Sequence, residues 1–193
     1  MNRKLLIIFL VLSISFFECA PSKYRIGGAI YSPAAISFSE SVFSFKKSFS
    51  VAVPEGWFST MDKNLDRDEI WLVKENYSGV IKIGIINFPL QLEKQDFEEK
   101  LLIAGELSSG LMKRKFGEKF SSIRNPALFK SGNILYTDYE FRFENDQFAR
   151  IVIFENRGKL FELFAYSSDY KASTKISTLE LYSTQQSLIG TIQ

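Results

Sequence analysis

The sequence predicts an α+β domain in which a largely antiparallel sheet of about six to seven strands packs against two helices. Three observations lead to this prediction. Several segments alternate apolar and polar residues, which is typical of strands with one buried face. The connections between these segments are short and polar, which favours antiparallel neighbours. Two further segments carry apolar residues at helical spacing, so the predicted order of elements is βββαββββα.

The predicted domain opens with three strands, at residues 45–53, 69–75 and 80–88. In the first strand, Phe49, Val51 and Val53 share one parity and serines occupy the other. The proline and glycine at positions 54 and 56 end this strand, because proline fixes φ and glycine accepts a positive φ. The polar connection between the second and third strands predicts a hairpin.

A helix is predicted at residues 96–116. Asp96 and Glu99 have the spacing of a capping box, and Gly117 suits a C-terminal stop. Its expected buried face carries Phe97, Leu101, Ala104 and Leu111.

Four more strands are predicted at residues 120–124, 134–144, 148–155 and 160–167, followed by a helix at residues 171–189. The alternation of residues in the second of these strands predicts one face buried in the core and one wet face, exposed to solvent. The expected buried face carries Leu135, Thr137, Tyr139, Phe141 and Phe143, and the expected wet face carries Asp138, Glu140, Arg142 and Glu144. Tyr136 lies on the same face as the residues that are expected to be exposed to solvent, and it is therefore a candidate for an exposed binding surface. The closing helix is expected to bury Ile176, Leu179, Tyr182 and Ile189.

The first 18 residues have the pattern of an export signal. Arg3 and Lys4 precede an apolar run at residues 5–17, shorter than the roughly 20 residues that a membrane-spanning helix needs. Cys19 is the only cysteine of the chain and stands where a bacterial lipoprotein signal is cleaved and the acyl chains are attached. We therefore expect an exported, membrane-anchored lipoprotein of the bacterial cell envelope. An ordinary signal that is cleaved a little further on is the alternative.

Residues 19–44 are expected to form a flexible tether, because they combine prolines, glycines and many serines without a sustained period. Residues 45–193 then form a single domain, which is long enough to bury a sizeable core. With a single cysteine, the chain has no internal disulfide.

The stretch FSVAVPEGW, at residues 49–57, resembles the opening strand and Pro-x-Gly-Trp turn of the PsbP-like superfamily, which also contains DcrB-like envelope proteins. The predicted order of strands and helices agrees with that superfamily from about Phe45 to Ile189. The resemblance implies a PsbP-like α+β fold and a role as an accessory, scaffold or chaperone protein. It implies no shared catalytic residue.

The chain has no histidine, which excludes Ser-His-Asp and Cys-His catalysis and removes the commonest zinc ligand. Ser44 to Lys47 match S-x-x-K, but the companion elements are missing, so the match is attributed to chance. Residues 62–69 imitate the start of a calcium loop, yet Arg67 and Val73 replace the required glycine and glutamate. We therefore expect no catalytic residue, no metal and no cofactor.

The charges of the chain are nearly balanced, with 24 basic and 22 acidic residues and a formal net charge of +2. This balance argues against a nucleic-acid partner. Lys113, Arg114 and Lys115 fall in the last turn of the first predicted helix, where the helix dipole favours cations.

Two functions are compatible with these observations. The first is a non-enzymatic, lipid-anchored protein-binding or assembly module, whose partners are the membrane, through acyl chains on Cys19, and another protein. The alternative is a carrier or chaperone that holds an apolar ligand or a helix in a groove between sheet and helix. A carrier requires a concave cavity, whereas a scaffold requires an exposed patch.

Overall fold

The computed structural model describes residues 23–61, 68–87, 95–145, 147–168 and 174–193. Its strands are β1 (Ile26–Gly28), β2 (Phe38–Phe43), β3 (Ser50–Pro54), β4 (Trp57–Thr60), β5 (Glu69–Lys74), β6 (Gly79–Ile85), β7 (Ser121–Ser131), β8 (Ile134–Phe143), β9 (Gln147–Asn156) and β10 (Lys159–Ser167). Its helices are α1 (Phe97–Phe116) and α2 (Thr178–Leu188), each followed by one 3-10 turn.

Eight strands form one sheet in the order β1-β7-β8-β9-β10-β6-β5-β4, and β2 pairs with β3 in a separate ribbon. Only the β1–β7 pair of the described strands is parallel. Helix α1 packs on one face of the large sheet, over β7, β8 and β9, while α2 and the β2–β3 ribbon cover the other face. The predicted α+β class with two helices is confirmed. The sheet gains β1 and β4, which were not predicted.

Helix α1 matches the predicted helix, although its first turn is capped differently. Asp96 occupies the N-cap position, but its side chain makes no capping hydrogen bond, so the predicted capping box does not form. At the other end Gly117 has a φ of 57° and donates its N–H to the carbonyl of Lys113, as expected for a C-terminal stop. Gly105 lies directly against β8, where an added Cβ would stand 2.7 Å from Thr137 Oγ1.

Three apolar helix residues that were expected in the core are exposed. Leu101 and Ala104 of α1 are buried, but Phe97 and Leu111 are 46% and 57% exposed. The reason is that α1 covers only part of the sheet, so its flank at Leu111 faces open space. On α2, Leu179 points away from the sheet and is also exposed, whereas Ile176, Tyr182 and Ile189 are buried as predicted.

The expectation of a wet face on β8 is wrong for most of the strand. Asp138, Glu140 and Tyr136 are buried, while Arg142 near the end of the strand is exposed. The segment before β2 and helix α2 cover this face, and the two carboxylates are paired with arginines there. Tyr136 is therefore a core residue and not part of an exposed binding surface.

The segment that was expected to act as a tether contributes strands to the fold from residue 26 onward. Strand β1 pairs with β7, and β2 pairs with β3. Gly27 is used for close approach, since an added Cβ would stand 3.0 Å from the Phe129 ring. Glycines and serines in this segment thus mark close packing and an edge strand rather than flexibility. The signal sequence and Cys19 lie outside the described residues.

Candidate functional site

A groove lies beside α1 on the sheet face that this helix covers incompletely. Helix α1 packs over β7, β8 and β9, and within the described ranges no second helix lies over β6 and β5 on the same face. The groove between α1 and the strands β10, β6 and β5 has a volume of about 1130 Å³. A second pocket, near Lys119 and Arg142, has a volume of about 470 Å³.

One wall of the groove is a stripe along α1. Ser108, Leu111, Met112 and Lys115 all line it. Their spacing of three and four residues places them on one side of the helix. Leu111 is more than half exposed, so this wall presents apolar surface to solvent.

The floor of the groove is formed by cross-strand rows. Phe164 of β10 lies opposite Lys82 of β6, which lies opposite Trp71 of β5. Glu162 and Glu69 occupy the neighbouring row, on either side of Gly84. Residues two apart on a strand share a face, so both rows point into the groove. The floor therefore combines aromatic rings with charged groups.

The charged groups of the floor are paired within the protein. Lys82 Nζ lies 3.3 Å from Glu69 Oε1. Ser108 Oγ donates to Glu162 Oε2 at 2.7 Å, and the Tyr139 hydroxyl lies 2.8 Å from Ser108 Oγ. Burial raises the pKa of Tyr139, so this hydroxyl stays protonated at neutral pH and donates to Ser108. The chain of bonds thus runs from Tyr139 through Ser108 to the carboxylate.

At the far side of the groove, Asp68 fastens the turn between β2 and β3. Its carboxylate accepts hydrogen bonds from Ser44 Oγ at 3.0 Å, from the Lys46 backbone N–H at 2.9 Å and from Ser48 Oγ. Burial alone would raise the pKa of Asp68, but these hydrogen bonds outweigh it and lower the pKa. Ser44, the serine of the S-x-x-K match, is buried here, and Lys47 is exposed with a φ of 55°.

A second polar cluster lies on the opposite face of the sheet, under α2. Arg150 is fully buried and uses all five of its N–H groups. Two go to Asp138 Oδ2, one each to the side-chain oxygens of Gln185 and Gln186, and one to the Tyr182 carbonyl. A guanidinium that is saturated in this way holds α2 on the sheet and has no donor left for a ligand.

The same cluster also holds the segment that precedes β2. Arg124 binds Asp138 and, at 2.6 Å, Glu140. The hydroxyl of Tyr31 donates to Glu140 at 3.1 Å, and its ring lies 4.9 Å from the guanidinium carbon of Arg150. This arrangement explains why residues near Tyr31 are ordered against the sheet.

The sequence analysis raised a groove between sheet and helix only as a requirement of the carrier alternative and assigned no residues to it, and it missed the buried cluster. The signal for the cluster is Arg150 itself, since it interrupts the apolar run at residues 148–154 and a buried charge needs a partner. No sequence pattern of this kind indicates the groove, because the groove forms where the sheet is wider than the single helix that covers it.

The remaining sequence candidates add no site. Among the described residues, no group of three or more metal-binding side chains lies close enough together to hold an ion. Residues 62–67 of the calcium-like stretch lie outside the described residues. Lys115 of the basic cluster lines the groove, while Lys119 pairs with Glu144 at 2.9 Å. No helix in the described ranges is both long and apolar enough to cross a membrane.

Comparisons with known proteins show the fold. No protein-family model and no curated protein matches the chain. The solution structure of cyanobacterial PsbP (CyanoP) from Synechocystis sp. PCC 6803 is similar, with a TM-score of 0.53 and 13% sequence identity, over 86% of this chain and 99% of that chain. A crystal structure from Bacteroides thetaiotaomicron VPI-5482 has a TM-score of 0.39 and 13% identity, over 81% of this chain and 48% of that chain. The similarity to the CyanoP structure shows that the chain has the PsbP-like fold that residues 49–57 implied.

Proposed function

We propose that this chain is a non-enzymatic, lipid-anchored protein of the bacterial cell envelope that binds a protein partner in the groove beside α1. The export pattern of residues 1–18 and the position of Cys19 support the anchor. The groove is the single observation that supports partner binding. Its occupant is an amphipathic helix of the partner.

The dimensions of the groove suit a helix. Neighbouring strands lie roughly 4.8 Å apart, so β10, β6 and β5 span about 10 Å, which is close to the diameter of a helix with its side chains. Packed helices have axes about 8–10 Å apart, so a helix on these strands would contact the exposed flank of α1. The partner helix would thus complete the layer that α1 begins.

The chemistry of the lining suits a helix with one apolar stripe. Leu111, Trp71 and Phe164 offer apolar surface. Lys115 at the margin offers a cation to the polar residues that flank such a stripe. Grooves that bind amphipathic helices generally combine apolar anchor positions with a polar margin.

A carrier for a small apolar ligand is less well supported. Such a ligand would cover the Lys82–Glu69 pair and Glu162 without offering them hydrogen bonds, and desolvation of polar groups is costly. A helix can leave the charged part of the floor hydrated while it covers the aromatic part.

Among the described residues of the groove, Ser108 is not placed to act as a nucleophile. Ser108 is its most obvious hydroxyl, but this side chain is 2% exposed and is held between Tyr139 and Glu162. A nucleophile must reach the bound molecule, and this hydroxyl is directed into the protein. The chain has no histidine that could act as a general base toward this hydroxyl.

Site-specific photo-crosslinking tests the groove. A photoreactive phenylalanine analogue at position 111 should crosslink one protein in envelope membranes of the source cells, and the crosslinked peptide should have an apolar stripe at helical spacing. The matched control carries the same analogue at Leu179, a leucine on α2 at the opposite face that is also more than half exposed. Trp71→Glu should abolish the crosslink from position 111.

Three results would contradict this assignment. They are equal crosslinking from positions 111 and 179, a crosslink that Trp71→Glu leaves intact, and a small apolar molecule that native mass spectrometry finds bound in the groove. The last result would favour the carrier.

The anchor has a separate test. The intact mass of membrane-extracted protein should include acyl chains on Cys19, and Cys19→Ala should release the protein from the membrane fraction. An unmodified mass, or a variant that stays membrane-bound, would refute lipid attachment.

A further inference from the structure

We infer that the domain lies directly on the lipid bilayer in one orientation, with the N-terminal end of α1 facing the membrane. This inference rests on the proposed lipid attachment. The inference goes beyond that attachment because strands β1 and β2 occupy part of the expected tether. The position of β1 also determines where the chain leaves the fold.

The exit point of the chain is held by packing on both sides. Ile26 begins β1 opposite Leu128 of β7, and Tyr24 and Ile26 pack against the core cluster that contains Leu101 of α1. Lys23 lies 5.3 Å from the centre of the Tyr24 ring. The Tyr24 hydroxyl, and after it the carboxylates of Glu99 and Asp96 at the start of α1, raise the pKa of Lys23. The chain therefore leaves the fold beside the start of α1.

The remaining connection is too short to act as a flexible spacer. Only three residues lie between Cys19 and Lys23, so Lys23 is the fourth residue after the cysteine. An extended chain spans at most about 3.3–3.6 Å per residue. The acylated cysteine therefore stays within roughly 14 Å of Lys23. A tether of 26 residues, as residues 19–44 suggested, would have left the orientation of the domain free.

The end of the molecule near the exit has side chains that suit a lipid surface. We call this set the membrane-facing surface: Lys23, Arg25, Ile30, Phe97 and Lys130, all of them exposed. Lys130 lies at the end of the sheet over which α1 begins, because Lys130 pairs with Leu135 at the start of β8 and Lys100, in the first turn of α1, bonds Glu155 near the end of β9. Ala29 N–H binds the Lys130 carbonyl, so Ile30 lies at the same end. Exposed apolar side chains can enter the interfacial region, and basic side chains attract anionic headgroups. Asp96, Glu98 and Glu99 at the start of α1 balance these three basic charges, so the acyl chains supply the affinity.

Fluorescence quenching in vesicles tests the orientation. Because acylation blocks the only native cysteine, a new cysteine provides a unique labelling site. We would label acylated Phe97→Cys and Glu118→Cys, at opposite ends of α1 and about 30 Å apart, in phosphatidylethanolamine/phosphatidylglycerol vesicles. Lipids with a quencher at the headgroup should quench the label at position 97 several-fold more strongly than the label at position 118.

A lengthened linker provides the control. Twelve glycine and serine residues inserted between Pro21 and Ser22 should make quenching at the two positions similar, while the protein still floats with the vesicles. Equal quenching at positions 97 and 118 in the native-length, vesicle-bound protein would overturn the proposed orientation and leave the anchor intact. Failure of the acylated protein to bind vesicles would instead count against the anchor itself.

Discussion

Asp138 is fully buried and accepts hydrogen bonds from both Arg124 and Arg150, so one carboxylate joins two guanidinium groups. Asp138→Ala leaves Arg150 charged and buried without its ion pair. We expect the free energy of unfolding to fall by about 3–5 kcal/mol, the usual cost of breaking a buried pair from one side. Urea unfolding, followed by tryptophan fluorescence, measures this loss.

Two controls distinguish the loss of the Asp138–Arg150 ion pair from the general effect of removing a charged side chain. Lys113→Ala removes an exposed cation from α1 and should change the free energy of unfolding by less than about 0.5 kcal/mol. The double variant Asp138→Leu with Arg150→Met should lose less stability than Asp138→Ala, because no uncompensated charge remains at position 150. A single variant as stable as the native chain would show that the pair is not structural.

Tyr31 should make stability fall at alkaline pH. Burial, together with the neighbouring Glu140 carboxylate, raises the pKa of its hydroxyl to about 12, from the model-compound value of 10.0. Between these two values the unfolded chain releases this proton and the folded protein keeps it, so rising pH favours unfolding. The urea midpoint should therefore fall less steeply between pH 10 and 12 in Tyr31→Phe than in the native chain. Identical slopes would contradict the shifted pKa.

At the scale of elements, two glycines in α1 offer a matched pair. Gly105 faces Thr137 with no room for a Cβ, whereas Gly110 is exposed with nothing within 4 Å of the added atom. Gly105→Ala should lower the free energy of unfolding by about 1–3 kcal/mol, the usual range for overpacking. Gly110→Ala should raise it by about 0.8–1 kcal/mol through helix propensity. Thermal unfolding by circular dichroism measures both, and equal effects would contradict the close contact between α1 and β8.

The bounds of α1 could be predicted because the signals for its ends are local. The acidic first turn and Gly117 lie within a few residues of the ends they mark. Strand β4 has only four residues, and its edges depend on its pairing with β5, so no local pattern predicts it. The serine-rich β2 likewise becomes a strand only because β3 supplies its partner.

The groove and the burial of β8 could not be predicted because both depend on which layer covers which strand. Charged residues at every second position of a strand predict a face exposed to solvent. In the structure, Asp138 and Glu140 instead pair with arginines on β7 and β9 and are covered by α2. Leu111 fits the apolar stripe of a core helix, but α1 leaves β6 and β5 uncovered among the described elements. Such outcomes follow from sheet width and strand order rather than from any single segment.

At the scale of the whole molecule, the segment between residues 23 and 44 joins the anchor to the fold. Its strands β1 and β2 pair with β7 and β3, and Tyr31 contacts Glu140 and Arg150. The position of the domain on the membrane and the integrity of the buried cluster therefore depend on the same stretch of chain.

Truncation tests this dependence. A chain that begins at residue 23 keeps these contacts, and we expect it to unfold at the same temperature as the signal-free protein. A chain that begins at residue 45 loses β1, β2 and the Tyr31 hydrogen bond, and it exposes the buried Tyr182 ring that Tyr31 covers at 5.1 Å. We expect a loss of several kcal/mol, and each kcal/mol lowers Tm by roughly 2–4 °C in a domain of this size. Equal Tm values for the two truncated chains would mean that the segment is a tether after all, and the fixed orientation on the membrane would then lose its structural basis.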